Sequence, residues 1–300
     1  MPLPSDGATP LPGPTAVSWS WGALARLIRL PNQAGTLLLL LPTWWAMVLA
    51  SRGRPSWTVL IVFAAGAFLM RSAGVVMNDV ADRSFDREVA RTRSRPLANG
   101  ALQLRHALIT MGLLVAAAAG LLCVLPMPAV ILSPMALALA ALYPLSKRVV
   151  AIPQAVLGLA FGWGVVMAWA TVRQAVELPA WLLYGATICW AVGYDTIYAL
   201  QDREDDRRIG LRSSAVLFGD SAWVAVATAF GMMLGLLAWA GWITGLGAAF
   251  YGALAGIAGF LTRQVLTIRR EIPADQAFAL FRQHVWIGWG ILAAFWVGLF

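Results

Sequence analysis

Two short segments of the chain concentrate the residues whose types and spacing could do chemistry. Of the 14 acidic residues, four lie in each segment, and these are Asp79, Asp82, Asp86 and Glu88 in the first and Asp202, Glu204, Asp205 and Asp206 in the second. Asp79, Asp82 and Asp86 follow an i, i+3, i+7 spacing, and Asp195, Asp202 and Asp206 follow an i, i+7, i+11 spacing. Each set is therefore expected along one face of a continuing helix, where like charges repel.

The two acidic segments match each other in position. Asp82 and Asp86 shift by 120 residues onto Asp202 and Asp206, an interval that spans four predicted helices. One interpretation is that neighbouring arginines neutralise each cluster on a solvated face. The match favours the other interpretation, a parallel repeat of helices 1–4 and 5–8 in which both clusters hold one ligand across a central cavity.

The ligand chemistry follows from the donor atoms. Several carboxylates without histidine or cysteine suit Mg²⁺, which keeps water ligands and completes its shell with substrate phosphates. The neighbouring arginines and Lys147 could bind the remaining phosphate oxygens. Because apolar segments flank both clusters, the sequence predicts a Mg²⁺-bound lipid diphosphate whose head meets the metal and whose tail lies among apolar helices.

The elements that must position these residues are membrane helices. The chain is 60% hydrophobic and 12% charged, whereas a soluble domain carries about 25% charged residues. Residues 1–20 are predicted to form a flexible tail and residues 21–300 a single all-α transmembrane domain. Nine apolar segments have the length that a bilayer requires, which predicts a polytopic integral membrane protein with helices near 33–51, 57–78, 104–125, 127–144, 150–172, 178–200, 221–240, 243–262 and 284–300.

The charges in the connections predict the orientation. Arginines and lysines concentrate in the N-terminal segment and in the connections after helices 2, 4, 6 and 8, which places the N-terminus and both aspartate clusters in the cytoplasm. The net charge of +8 is explained by this asymmetry, so nucleic-acid binding is not expected. Cys123 and Cys189 lie in apolar segments, which argues against a disulfide framework. Arg71, near the end of helix 2, is expected to snorkel to the interface.

The two acidic segments and two further motifs resemble those of a known family. "NDVADRSFD" (78–86), followed by "RTRSRPL", resembles the N-D-x-x-D-x-x-x-D signature of the UbiA-type membrane prenyltransferases. "YDTIYALQDREDDRRIGLRSSAVLFG" (194–219) resembles their second aspartate motif. The amino-acid sequence of this second motif is similar to that of the branch that acts on 4-hydroxybenzoate. The segments "YPLSKR" (143–148) and "RLIRLPNQAGTLLLLLPTWWA" (26–46) also resemble that branch. The resemblance covers about residues 20–300.

The resemblance implies a fold and an activity. It implies nine helices around a central cavity in a bacterial inner membrane, and Mg²⁺-dependent transfer of a polyprenyl group from polyprenyl diphosphate to the 3-position of 4-hydroxybenzoate in ubiquinone biosynthesis. The lipid bilayer is an expected partner, and no obligate protein partner is indicated.

The matching positions give each residue an expected role. Asp82, Asp86, Asp202 and Asp206 are expected to bind Mg²⁺, directly or through water. Asn78 and Asp79 would support the first cluster, while Arg95, Lys147 and Arg212 would contact the diphosphate. Arg148 is the first candidate for the benzoate carboxylate and Arg29 the second. Asp195 is expected near the phenol hydroxyl, and Tyr194 and Tyr198 could stabilise an allylic cation.

Two alternatives remain open. The acceptor could be a naphthoate, a homogentisate or a haem. A transporter or ion channel could use the aspartates as a cation path, but it would place charges at the midplane of several helices. Here the acidic clusters lie at one face, and only Asp195 is deeper.

Overall fold

The computed structural model describes residues 20–88, 92–210 and 212–300, without the side chains of Lys147, Arg148 and Ile209. The predicted tail, apart from Ser20, lies outside the described residues. Across the described ranges every regular element is a helix, as predicted. These are α1 (Trp21–Leu27), α2 (Ala34–Ala50), α3 (Trp57–Ala81), α4 (Leu104–Leu121), α5 (Met127–Val149), α6 (Pro153–Arg173), α7 (Leu178–Ala199), α8 (Arg203–Ile209), α9 (Ser214–Phe218), α10 (Ala222–Thr244), α11 (Ala248–Ile268) and α12 (Ala274–Gly298), with short 3₁₀ turns at Phe85–Arg87, Leu122–Val124, Leu200–Asp202 and Gly219–Ser221.

Several of these helices can cross a bilayer. Six helical segments in the described part are both long and apolar enough: Trp57–Ala81, Leu104–Val124, Met127–Ser146, Pro153–Arg173, Ser214–Thr244 and Ala248–Ile268. The α2 helix is apolar but has only 17 residues, and α7 and α12 are long but are not among these six segments. The protein is therefore a multi-pass membrane protein, and nine spans stay a prediction.

The α7 helix packs against α2, α6, α10 and α12 at the centre of the bundle. Small residues let these helices approach closely, as is common in membrane proteins. A Cβ atom added to Gly158 of α6 would lie 2.9 Å from the Cα atom of Ile188. Behind α7, the Trp45 indole donates a hydrogen bond of 2.9 Å to the carbonyl of Gly288. The central helix that carries the second motif is thus held on several sides.

Both aspartate segments leave their helices earlier than predicted. The α3 helix ends at Ala81, and Asp86 lies in the following 3₁₀ turn. The α7 helix ends at Ala199, so Asp202 lies in a 3₁₀ turn and Asp206 in α8. The prediction of one continuing helix through each set was wrong. A continuing helix would carry Asp86 about 10 Å beyond Asp79 along the axis, whereas the turn keeps both carboxylates within reach of one arginine.

The last two long helices also differ from their predicted bounds. The α12 helix begins at Ala274 instead of 284, and α11 covers Ala248–Ile268 instead of 243–262. Hydropathy marks only the apolar part of a helix. The first turns of α12 carry Asp275 and line the mouth of the central cavity, so this polar segment is helical although it is not apolar.

A small second core holds α1 against the motif end of the bundle. It consists of Ala23, Leu27, Val76, Leu97, Leu102 and Ala107. These residues join α1, α3, α4 and the segment before α4. The packing brings Arg29, just after α1, and Arg95, in the segment after the first motif, to the end of α3.

Candidate active site

A cavity of about 1040 Å³ lies inside the bundle, and both aspartate segments open into it. Its polar end is lined by Asn78, Asp79, Asp82, Asp86, Asp195, Asp202 and Asp206. Side chains of α4, α5 and the turn between them, such as Val115, Leu137 and Leu122, form much of its apolar wall. One chamber therefore joins a carboxylate-rich end to a surface suited to a hydrocarbon chain.

The predicted metal-binding carboxylates line this cavity, but they do not form a complete metal site by themselves. Among the described residues, no three Asp, Glu, His or Cys side chains converge closely enough to hold a metal ion by themselves. Oxygen donors arranged in this way suit Mg²⁺, because that ion retains waters and takes further ligands from substrate phosphates. The donor set therefore fits a magnesium diphosphate better than a bare metal ion.

Arginines already contact two carboxylates of the first motif. The Arg29 Nη2 group donates to Oδ1 and Oδ2 of Asp79, at 2.8 and 3.0 Å. The Arg95 Nη1 group donates to Asp79 Oδ1 at 3.1 Å and to the Asp86 carboxylate at 3.0 and 2.8 Å. Burial raises the pKa of the Asp86 carboxyl, and the Arg95 guanidinium opposes that shift. One of these guanidinium groups, that of Arg95, thus contacts a predicted metal ligand, Asp86.

The remaining predicted cations belong to the segments on the other side of the cavity. Arg212 lines the cavity, and its Nη1 group donates a 2.6 Å hydrogen bond to the carbonyl of Val149, at the end of α5. Lys147 and Arg148 belong to the last turn of α5, and their side chains lie outside the described part of the molecule. Their predicted contacts therefore stay predictions.

The aromatic wall beside Asp195 is built by α7 and α12. Tyr194 and Tyr198 both line the cavity. The Tyr198 ring lies 4.8 Å from the Phe281 ring, and the Tyr194 ring lies 5.2 Å from the Trp190 ring, between centroids. Behind them, the Trp190 indole donates to Nδ1 of the fully buried His284 at 3.0 Å. Packing fixes both tyrosine rings at the polar end of the chamber.

Arg71 lines the cavity although it was not among the predicted site residues. It was predicted to snorkel, but its side chain lines the cavity, with the guanidinium carbon 5.8 Å from the Phe161 ring centroid. Snorkelling fails because Arg71 lies ten residues before the end of α3, about 15 Å from that end. Two signals could have found it: an ionisable residue inside a span and its position two turns before Asn78.

Comparison with known proteins decides the family. The model of the UbiA prenyltransferase family matches residues 39–297. The chain belongs to this family. The 4-hydroxybenzoate octaprenyltransferase of Cupriavidus metallidurans is 44% identical over 275 residues, which cover 91% of this chain and 92% of that protein. The enzyme of the same name from Azoarcus sp. is 47% identical over 271 residues, 89% of this chain and 93% of its own.

Solved UbiA structures share the fold. A UbiA homolog from Aeropyrum pernix K1 superposes with a TM-score of 0.72 at 30% identity, over 86% of this chain and 97% of that one. A UbiA homolog from Archaeoglobus fulgidus, solved bound to DMAPP and Mg²⁺, gives a TM-score of 0.67 at 17% identity, over 90% of this chain and 99% of that one. Structures of UbiA homologs thus contain a divalent metal and a prenyl diphosphate, and the predicted family is confirmed.

Proposed function

We propose that this chain transfers a polyprenyl group from polyprenyl diphosphate to the 3-position of 4-hydroxybenzoate, with Mg²⁺ as cofactor. The reaction is a membrane step of ubiquinone biosynthesis. The observation that carries the proposal is that both aspartate motifs open on one cavity with a long apolar wall. The names of relatives that are 43–47% identical over about nine-tenths of the chain support the acceptor.

The metal assignment uses the two motifs. Asp82 and Asp86 hold Mg²⁺ from one side and Asp202 and Asp206 from the other, directly or through water, with Asn78 supporting the first pair. When bound, Mg²⁺ neutralises the diphosphate and stabilises the charge that develops on it as it leaves.

The cations around the motifs hold the donor. Arg95 and Arg212 line the cavity, and we assign them to the phosphate oxygens, with Lys147 as a further predicted contact. The bond between the first prenyl carbon and the diphosphate oxygen breaks, and the electron pair leaves with the diphosphate. The faces of Tyr194 and Tyr198 stabilise the allylic cation, and the apolar wall excludes water from it.

The acceptor is oriented by its two polar ends. Its phenol hydroxyl faces Asp195, and the ring carbon beside that hydroxyl attacks the allylic carbon and then loses its proton to a base. Its carboxylate needs a guanidinium. Arg71 lies about 10 Å deeper along α3 than Asn78, within the same cavity, so we assign the carboxylate to Arg71. Arg148 and Arg29, the two candidates from the sequence, stay alternatives, and Arg29 lies at the motif end beside Asp79.

The proposed membrane location and orientation follow from the same sequence features. The protein acts in a bacterial inner membrane as one transmembrane domain with helices 1–4 and 5–8 as a repeat, and both motifs face the cytoplasm, as the arginine-rich connections indicate. No protein partner is included in this proposal.

The test uses isolated membranes supplied with Mg²⁺ and both substrates. We expect Asp82→Ala and Asp202→Ala each to abolish transfer, while Asp220→Ala, at an exposed aspartate outside the cavity, keeps it. Near-normal transfer by either motif variant would remove the metal assignment. Offering 4-hydroxybenzoate beside a naphthoate and homogentisate identifies the acceptor, and preference for another aromatic would refute the proposed specificity.

A further inference from the structure

Asp79 differs from the other carboxylates of the first motif in its surroundings. Its side chain is only 1% exposed, and it receives hydrogen bonds from two arginines that are distant in the sequence. Oδ1 accepts from both Arg29 and Arg95, so both lone pairs of that oxygen are engaged. Oδ2 accepts a second hydrogen bond from Arg29 at 3.0 Å.

The C-terminal cap of α1 holds the backbone at Arg29. Arg29 has a φ of +57°, in the left-handed region that non-glycine residues rarely adopt. Its carbonyl accepts hydrogen bonds from the Asn32 amide at 2.9 Å and from the Gln33 side chain at 3.0 Å, and its Nη1 group donates to the Arg26 carbonyl. This is the left-handed position of a helix C-cap, in which the Leu30 amide donates to the Ala25 carbonyl at 2.9 Å. The cap fixes the point from which the Arg29 side chain extends to Asp79.

Arg95 connects Asp79 to the predicted metal site. One terminal nitrogen, Nη1, contacts Asp79 at 3.1 Å and Asp86 at 2.8 Å. The guanidinium therefore stands between a carboxylate that is enclosed by arginines and a carboxylate that is a predicted metal ligand. Both Arg29 and Arg95 line the cavity, so each can also present N–H groups to an anion there.

We propose that Asp79 is a positioning residue that holds Arg29 and Arg95 as a pair of diphosphate-binding groups, and that it does not ligate the metal. This inference rests on the proposed function, because it assigns the anion to the diphosphate of the donor. Without the Asp79 charge, the two guanidinium groups would repel each other and lose their common orientation.

The test separates metal binding from diphosphate binding in the purified, full-length protein. Protein-bound Mn²⁺ is measured by electron paramagnetic resonance at saturating pyrophosphate, and pyrophosphate binding is measured by calorimetry at saturating Mn²⁺. We expect Asp79→Asn to keep the Mn²⁺ affinity of the wild type but to weaken pyrophosphate binding by about tenfold or more, since it removes hydrogen bonds between charged groups. Asp86→Asn should lose Mn²⁺ binding, and the exposed control Asp220→Asn should change neither.

A double variant tests whether Asp79 acts through Arg29. If it does, Asp79→Asn combined with Arg29→Gln weakens pyrophosphate binding by less than the product of the two single effects, because the second change removes an interaction that is already lost. Independent, multiplicative losses would contradict the proposed positioning role. The KM for polyprenyl diphosphate should rise in Asp79→Asn more than kcat falls.

Three results would overturn the inference: Mn²⁺ binding lost in Asp79→Asn as in Asp86→Asn, pyrophosphate affinity unchanged in Asp79→Asn, or multiplicative losses in the double variant. If Asp79→Asn does not fold, Arg29→Gln carries the test, and unchanged pyrophosphate affinity in that variant overturns the inference. A wild-type protein that binds neither Mn²⁺ nor pyrophosphate would instead refute the proposed function.

Discussion

Gly35→Ala tests the assignment of the acceptor carboxylate to Arg71 without changing any charge. A Cβ atom at Gly35 would lie 2.6 Å from Nε and 2.8 Å from Nη2 of Arg71. Because ordinary contact begins at 3.4 Å, the guanidinium must recede from α2 by about 0.8 Å. The Arg71 side chain is flexible enough to move, so the fold should tolerate the change, but the guanidinium would leave its present place.

The expected size of the effect follows from how precisely the Arg71 guanidinium must be placed to bind a carboxylate. Binding groups must stay within about 0.5 Å of their productive positions, and the displacement exceeds this limit. Losing the alignment of a charged hydrogen bond costs about 1.5–3 kcal/mol, which corresponds to at least about a tenfold loss of affinity. We expect the KM for 4-hydroxybenzoate to rise by that factor, while the KM for polyprenyl diphosphate stays within about twofold.

Two controls separate this effect from general damage. Gly112→Ala in α4 makes the same chemical change where no described atom lies within 4 Å of the added Cβ, so its kinetics should match the wild type. The methyl ester of 4-hydroxybenzoate lacks the carboxylate charge that is assigned to Arg71. If the ester reacts, Gly35→Ala and the wild type should therefore use it equally well. An unchanged KM for the acid, or an equal loss with acid and ester, would refute the assignment.

Three further predictions concern the metal, the packing and the pH dependence of stability. Treating the membranes with a chelator should abolish transfer and adding Mg²⁺ should restore it, so activity that persists after chelation would contradict the cofactor. Gly288→Ala, whose Cβ would lie 2.6 Å from Leu41 and 2.9 Å from Trp190, should lower stability by about 1–3 kcal/mol, seen as a lower Tm than in the control Gly256→Ala. Hydrogen bonds from Arg173 and Trp169 lower the pKa of Glu177 below 4.5, so its contribution to stability is present above that pH and is lost as the pH falls through the folded-state pKa. Glu177→Gln should therefore have a slightly lower Tm than the wild type at neutral pH, because so exposed a pair contributes under about 1 kcal/mol to stability. A Tm difference that is constant at all pH values would argue against this ion pair.

The helices and the aspartate motifs could be predicted because both leave a strong local signal. Long apolar segments and paired carboxylates are visible in the sequence, and the structure places Asp82, Asp86, Asp202 and Asp206 around one cavity. The turns after α3 and α7 were missed because the i, i+3, i+7 spacing of the aspartates is equally compatible with a helix that ends. The assumed repeat stays a prediction, since it rests on the 120-residue interval between the two motifs.

The partners of the arginines could not be predicted from the sequence. The Asp79 carboxylate lies 50 residues from Arg29 in the sequence and 16 from Arg95. Which of several nearby arginines meets which aspartate depends on how α1 packs against α3. Arg71 was misjudged for a related reason: its distance from the helix end was underestimated, so a cavity residue was taken for an interfacial one.

The distribution of cations in the cavity explains how one chamber can hold two anionic substrates. A diphosphate and a benzoate carboxylate would compete if all the arginines lay at one end. Instead, Arg29 and Arg95 lie at the motif end beside Asp79, while the Cα atom of Arg71 lies about 10 Å deeper along α3 than that of Asn78. Each anion then has its own cation, and the aromatic ring must lie between them, beside Tyr194 and Tyr198. Moving the deeper charge, as in Arg71→Gln combined with Val75→Arg, should raise the KM for 4-hydroxybenzoate more than it changes the KM for the donor, because Val75 lies one helical turn closer to the motif end of the same cavity wall.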